Sequence, residues 1–272
     1  MKSKKEKLIS FLIGLVLSFF AVLALFPFVY MLLTSFRQTY SMELDLSLQG
    51  LSLQNFRTIF KNFEFGKYFF NSTVVVVIAC LLNAVVSSMA AYGFEKKRFS
   101  GSETLFRVYL ATLIVPSQAI LIPLFTIIQK LHLMNTYLVL ALPVVNAFGV
   151  FLVRQFMTGL PDELIEAARI DGCREFKIYY AIILPLMKPV LVALTVFTFI
   201  TTWNDFVWPL VAITDGNKST LTLALASLQG NYATNYGLVM AGAALVFLPP
   251  FILYIFLQKQ FVEGIALSGV KG

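Results

Sequence analysis

Six long apolar runs dominate this chain, each close to the length a helix needs to cross a bilayer. About 20 mostly apolar residues are required for one crossing. The runs lie at 8–33, 69–94, 105–128, 136–156, 190–213 and 236–257. They predict an all-α fold, a polytopic membrane protein with six transmembrane helices, organised as one transmembrane domain over residues 1–272. Only 13% of residues are charged, about half the share usual in a soluble domain. That excludes an ordinary water-soluble globule, a disordered chain and a disulfide scaffold. The net charge of +7 sits in short blocks between the runs, so the expected partner is the lipid bilayer and not nucleic acid.

Those blocks also orient the chain. With the N-terminus inside, fifteen basic residues fall on inner segments, among them Lys2, Lys4, Lys5, Lys7, Lys96, Lys97, Arg98, Arg154 and Lys188. The outer segments hold six: Arg37, Arg57, Lys61, Lys67, Lys130 and Lys218. This asymmetry predicts both termini in the cytoplasm, which an even number of crossings also requires. The first run follows a basic start but continues past Pro27 without a small-residue cleavage site, so it reads as an uncleaved anchor. Cys80 and Cys173 are expected in different layers, with no disulfide between them. Asn71-Ser72-Thr73 and Asn217-Lys218-Ser219 match the glycosylation tripeptide only by chance.

One connection stands out. Residues 154–188 carry five basic and five acidic residues, which is unlike a polybasic lipid anchor. Two short helices are expected here. Pro161 suits a first helical position, Asp162 and Glu163 the positive N-terminal end, and Gly172 the exit. Leu164, Ile165 and Ala168 would share one face, as would Phe176, Tyr179, Tyr180 and Ile183 before Pro185 stops the pattern. An amphipathic helix lying on the membrane surface would show the same composition.

The residue order goes further. Glu166-Ala167-Ala168, then Asp171-Gly172, then Ile182-Ile183-Leu184-Pro185 resembles the EAA loop of ABC-importer permeases, in a cytoplasmic loop before the last two runs. Ile114-Val115-Pro116-Ser117-Gln118, Ile122-Pro123-Leu124, Trp203-Asn204-Asp205-Phe206-Val207-Trp208-Pro209 and Ser268-Gly269-Val270-Lys271-Gly272 are similar to the carbohydrate-uptake permeases. The likeness is to the smaller, six-span subunit of the maltose-importer type, and it covers nearly the whole chain.

The resemblance implies a type I ABC-importer permease fold and a permease that moves a sugar or oligosaccharide by alternating access. The alternatives are a glycerol-phosphate-type or other polar solute, or a secondary transporter. Its coupling helix, between spans four and five, would dock on a cytoplasmic ATPase dimer. Glu166 would be the polar contact, with Ala167, Ala168 and Gly172 the close-packed surface. Asp171 would cap the second short helix, and Leu184 and Pro185 close the motif. Ser268, Gly269, Val270, Lys271 and Gly272 would form a tail reaching the ATPase. The other implied partners are a second homologous permease and an extracytoplasmic sugar-binding protein, probed by the segment from Asp215 to Asn235. The setting would be a bacterial cell membrane. No cofactor or metal would be bound by this chain, ATP and Mg belonging to the ATPase. No catalytic residue is expected, since the sequence holds one His, two separated Cys and no G-x-x-x-x-G-K-[ST] loop.

Polar residues inside the runs are the remaining candidates. Asp205, the one intramembrane acid, has two open readings with Trp203 and Asn204: a lining of the sugar pathway, or partners for backbone freed near Pro209. Asn146 and Gln118 join that pathway set. Interhelical hydrogen bonding is the commoner use of Asn146, Gln118, Asn83, Ser87 and Ser88. Pro116 and Pro123 are expected to kink the third run, and lone His132 to sit solvated on an outer turn.

Overall fold

A computed structural model describes residues 4–97, 99–231 and 235–269. Among them every regular element is helical. In chain order these are α1 (Lys4–Ser35), α2 (Gln54–Asn62), α3 (Phe65–Lys96), α4 (Ser102–Ala111), α5 (Leu121–Lys130), α6 (Tyr137–Ala141) and α7 (Ala147–Met157). Then follow α8 (Glu163–Ile170), α9 (Glu175–Ile178), a π-turn (Tyr179–Ile183), α10 (Leu184–Leu186), α11 (Lys188–Trp203), α12 (Val207–Ala212), α13 (Leu221–Asn231) and α14 (Tyr236–Gly269).

Three segments are long and apolar enough to cross a membrane alone: Lys7–Ser35, Phe65–Lys96 and Tyr236–Gln258. Three bent pairs are candidates for one crossing each. Ser102–Ile114 with Ser117–Lys130 turns by 96°, Tyr137–Val144 with Ala147–Met157 by 49°, and Glu175–Leu186 with Lys188–Trp203 by 75°. The first bend falls where Val115 is extended (ψ 119°) ahead of Pro116, because a proline ring disfavours helical backbone in the residue before it. Pro123 makes no second kink. It lies in the first turn of α5, where its missing N–H costs the helix nothing. The fifth apolar run is not one helix: α11 stops at Trp203 and α12 starts at Val207.

The contacts divide the chain into two compact units. The first, Met1–Phe65 with Leu225–Leu248, is tied by Asn55 of α2. Its buried amide donates to the carbonyls of Ser35 (2.9 Å) and Arg37 (2.6 Å). Arg37 in turn pairs with Asp45 (2.8 Å), and Ile59, Leu238 and Ala241 form a small core. No residue in the apolar window of α1 is buried; an all-round apolar helix of this kind suits a lipid or protein surround.

The second unit, Gly66–Ala224 with Pro249–Gly272, holds two apolar clusters. One gathers Tyr92, Phe106, Val153, Met157, Ile165, Ile178, Ile183 and Leu194 around the loop before α11. The other gathers Val75, Val139, Leu140, Trp208 and Ala212. A polar seam joins α3, α7 and α11. Asn83 donates to Thr198 Oγ1 (2.9 Å) and accepts from Ser87 Oγ (2.7 Å), while Gly149 of α7 lets that seam approach closely. So Asn83 and Ser87 do bond within the bundle, and Ser88 bonds Tyr179 OH at 2.7 Å. Cys80 and Cys173 are both free thiols.

Candidate functional site

The segment singled out in the sequence folds as one exposed helix followed by a return into the core. α8 starts at Glu163, so Pro161 lies outside it. Asp162 stands at the N-cap without a side-chain capping bond, because its carboxylate meets Lys96 instead (2.6 Å). The exit is a Schellman turn. Cys173 N–H donates to Ala168 O (2.9 Å) and Gly172 N–H to Arg169 O (3.0 Å), with Gly172 at φ 74°. A left-handed residue is what this turn requires, and glycine supplies it at no steric cost. Asp171 is the C-cap of α8, while Arg174 precedes α9. Asp171 therefore caps no second helix, because the chain needs two further residues to turn.

The small residues part company. Ile165 and Ala168 are buried in the first cluster, whereas Glu166 and Ala167 face outward and Ile170 is 86% exposed. Leu164, expected beside Ile165, lies on the rim, 40% exposed. Beyond the turn Tyr179 and Ile183, four residues apart, are buried on one face, but Phe176 and Tyr180 are not. Leu184 packs against the core and Pro185 is exposed.

Charges fasten this segment from above. Lys96 Nζ donates to Leu160 O (2.7 Å) and Asp162. Glu175 receives Lys97, Arg169 (3.1 Å) and the Tyr92 hydroxyl (3.0 Å). Arg154 bonds Glu95 (2.9 Å) and Glu103 (2.8 Å) and lies 4.0 Å over the Phe106 ring. In the sequence Lys96, Lys97 and Arg154 read only as topology signals, and Asp162 as a helix start. All of these pairings but Arg169–Glu175 join residues tens of positions apart, and a local pattern carries no trace of them.

The Lys97 hydrogen bond is the main cause that holds the Glu175 carboxyl below the usual carboxylate range. An Arg154 hydrogen bond does the same for Glu103. A depressed folded value gives stability that is complete above the ordinary value of about 4.3. It is lost as pH falls through the depressed value. The melting temperature of the detergent-solubilised protein is therefore expected to be insensitive to these pairs from neutral pH down to about 5 and to fall below about 4. Glu175→Gln should flatten that fall, and an unaltered acid limb would contradict the assignment.

The candidate pathway residues are dispersed. Trp203 is buried, stacked on Phe199 (centroids 5.6 Å apart, planes 6°) and edge-on to Phe69. Asn204 donates to Ile200 O (2.8 Å), and Asp205 Oδ1 accepts the Trp208 N–H (3.3 Å). Of the two readings of Asp205, these bonds support the backbone one: the side chains bridge the break between α11 and α12. Asn146 caps α7 by accepting from Phe148 N–H (3.0 Å). Gln118 is exposed beside Ser117. The segment from Asp215 opens with a short turn (Gly216–Lys218) and continues as α13. Asn71 donates to the carbonyls of Asn217 and Ser219 there. The tail expectation falls mostly outside the described residues: Val270–Gly272 are not described, and of Ser268 and Gly269 only the helical backbone is. Among the described residues no cluster of His, Cys, Asp or Glu is arranged to hold a metal.

An all-helical chain with bilayer-length apolar elements and a charged elbow between them has the architecture of a membrane permease. The chain belongs to the family described as binding-protein-dependent transport system inner membrane component, whose model matches residues 83–266. It is thus a multi-pass inner-membrane transport component of an ABC importer and not an enzyme. It is 38% identical over 281 residues to the arabinooligosaccharides transport system permease protein AraQ of Halalkalibacterium halodurans, covering 100% of both chains. To the lactose transport system permease protein LacG of Rhizobium radiobacter it is 35% identical over 258 residues, 94% of each. The fold matches that of a chain in the crystal structure of a bacterial ABC transporter involved in the import of the acidic polysaccharide alginate. The TM-score is 0.81 at 21% identity, covering 95% of this chain and 98% of that one.

Proposed function

We propose that the chain is one of two homologous permease subunits through which an ABC importer carries a sugar or short oligosaccharide inward. Solute arrives on an extracytoplasmic sugar-binding protein, and a cytoplasmic ATPase dimer binds ATP and Mg and performs the hydrolysis. Residues 1–272 act as one transmembrane domain of six spans, about 8–33, 69–94, 105–128, 136–156, 190–213 and 236–257, with both termini in the cytoplasm; Glu103 and Glu175 lie outside these spans. The substrates for which the relatives are named, arabinooligosaccharides and lactose, support a carbohydrate cargo.

The observation that carries the coupling role is the outward face of α8. Ile170 stands 86% exposed beside outward-facing Glu166 and Ala167, on an elbow whose inner face is packed into the bundle. Leu164 (40%) and Phe176 (68%) are exposed on the same segment, and exposed apolar side chains grouped on a charged loop suit a groove on another protein. In this reading Glu166, Ala167, Ile170 and the Gly172 turn meet the ATPase, and the tail at 268–272 adds a second contact. Ala168 supports the helix from behind. Closure of the ATPase then moves α8, and the bundle rocks between its two openings.

Ile170→Arg tests this directly. The variant is expected to insert normally but to lose co-purification of the ATPase by about tenfold or more, ~1.4 kcal/mol, and to lose uptake with it. Undiminished association and uptake would sink the docking assignment.

A further inference from the structure

Two consecutive lysines mark the cytoplasmic end of α3, and each reaches a different end of α8. Lys96 is the last residue of that helix, and its side chain is only 4% exposed. Its ammonium sits between Leu160 O (2.7 Å) and Asp162 Oδ1 (2.6 Å), on the strand of chain that enters α8. Lys97, the next residue, pairs with Glu175, just past the Gly172 turn by which the chain leaves α8. Glu175 is held a second time by Tyr92 of α3 (3.0 Å) and a third time by Arg169 of α8 itself (3.1 Å).

We propose that Lys96 and Lys97 act as a two-point staple that makes α8 and the end of α3 one rigid body, with Asp162 and Glu175 as its positioning residues. A lysine following a membrane span is ordinarily explained by topology alone, and that explanation requires no partner. Here the first ammonium is buried, and a buried charge persists only where it is paired and hydrogen-bonded. An ion pair with a solvent-exposed partner is weak by itself, but the staple places one at either end of an eight-residue helix. With both ends held, α8 cannot pivot about the Gly172 turn without breaking an ion pair. Force applied to its outer face passes into α3 instead of being spent in the loop.

The inference rests on the reading of α8 as the piece that docks on the ATPase, so the experiment is chosen to fail separately from it. Spin labels are placed at Gly93→Cys on α3, where an added side chain meets nothing within 4 Å, and at exposed Glu163→Cys on α8. The background is Cys80→Ser, Cys173→Ser, in the complete purified complex of this chain with its partner permease and ATPase. Pulsed electron resonance then measures the label separation without nucleotide and after trapping with ATP and vanadate. One narrow distance, the same in both states, is expected. Glu175→Gln should broaden it roughly twofold, as local opening becomes populated. Lys97→Met should do likewise, and it serves if the first variant assembles poorly. A shift on trapping that approaches one helical turn, about 5 Å, would overturn the staple. So would unbroadened distributions in both variants. Ile170→Arg does not enter this measurement, so loss of the docking reading would appear in ATPase association alone.

Discussion

Valine in place of Gly149 is expected to abolish uptake and to cut sharply the yield of assembled protein. An added Cβ at that position would lie 2.5 Å from Ser87 Oγ and 2.7 Å from Asn83 Oδ1, closer than such atoms can sit. The obstacle is no flexible surface group. Ser87 and Asn83 are buried and bonded to each other and to Thr198, so relief means separating α3 from α7 or breaking the seam. Overpacking a tight core costs about 1–3 kcal/mol, and an orphaned buried polar group adds a similar amount. Gly149→Ala should be milder but in the same direction. Monodispersity after extraction and the melting temperature provide the check. A valine variant with normal yield and normal uptake would show that the helices are not closely apposed there.

The second large effect concerns the turn after α8. Gly172→Val is expected to abolish uptake while membrane insertion stays normal. An added Cβ at Gly172 meets nothing within 4 Å, so the cost arises from the backbone alone. At φ 74° a β-branched residue is strained by about 1–2 kcal/mol. The relaxed chain would give up the bonds from Cys173 and Gly172 that close the helix. Asn tolerates the left-handed region better than other residues do, so Gly172→Asn should retain much of the uptake that valine loses. Equal activity of the two variants would mean that the turn does not hold its left-handed form in the working complex.

Much of the scaffold was legible because hydrophobic length and backbone rules act locally. The runs at 8–33, 69–94 and 236–257 became long helices, the bend fell at Pro116, and Gly172 closed α8. Pro123 misled because a proline early in a helix looks, in sequence alone, like one within it. Ile165 and Ala168 were correctly placed on one face, but Leu164 was not, since an eight-residue helix presents only about two turns and its edge residue lies at the boundary. The least legible part was the charge network. Nothing near Lys96 or Lys97 in sequence points to Asp162 or Glu175, and pairings of that range exist only once α3 and α7 have packed. Asp205 was ambiguous for a different reason: a carboxylate near a proline suits a ligand path and a helix start equally. The Trp208 N–H that it accepts supports the helix-start reading.

The π-turn at Tyr179–Ile183 carries a consequence for comparing this chain with its relatives. Such a turn accommodates one residue more than an ordinary α-helical turn, immediately ahead of Pro185. Excising Ala181 would turn this stretch into ordinary α-helix and leave the helix on either side near its present phase, because the widened turn absorbs the surplus residue locally. The azimuth of α11, and with it the side that Thr198 offers to Asn83, is thus buffered against one added or lost residue at this turn, so a relative lacking the residue would differ here in turn type, with the helix beyond in the same rotational setting.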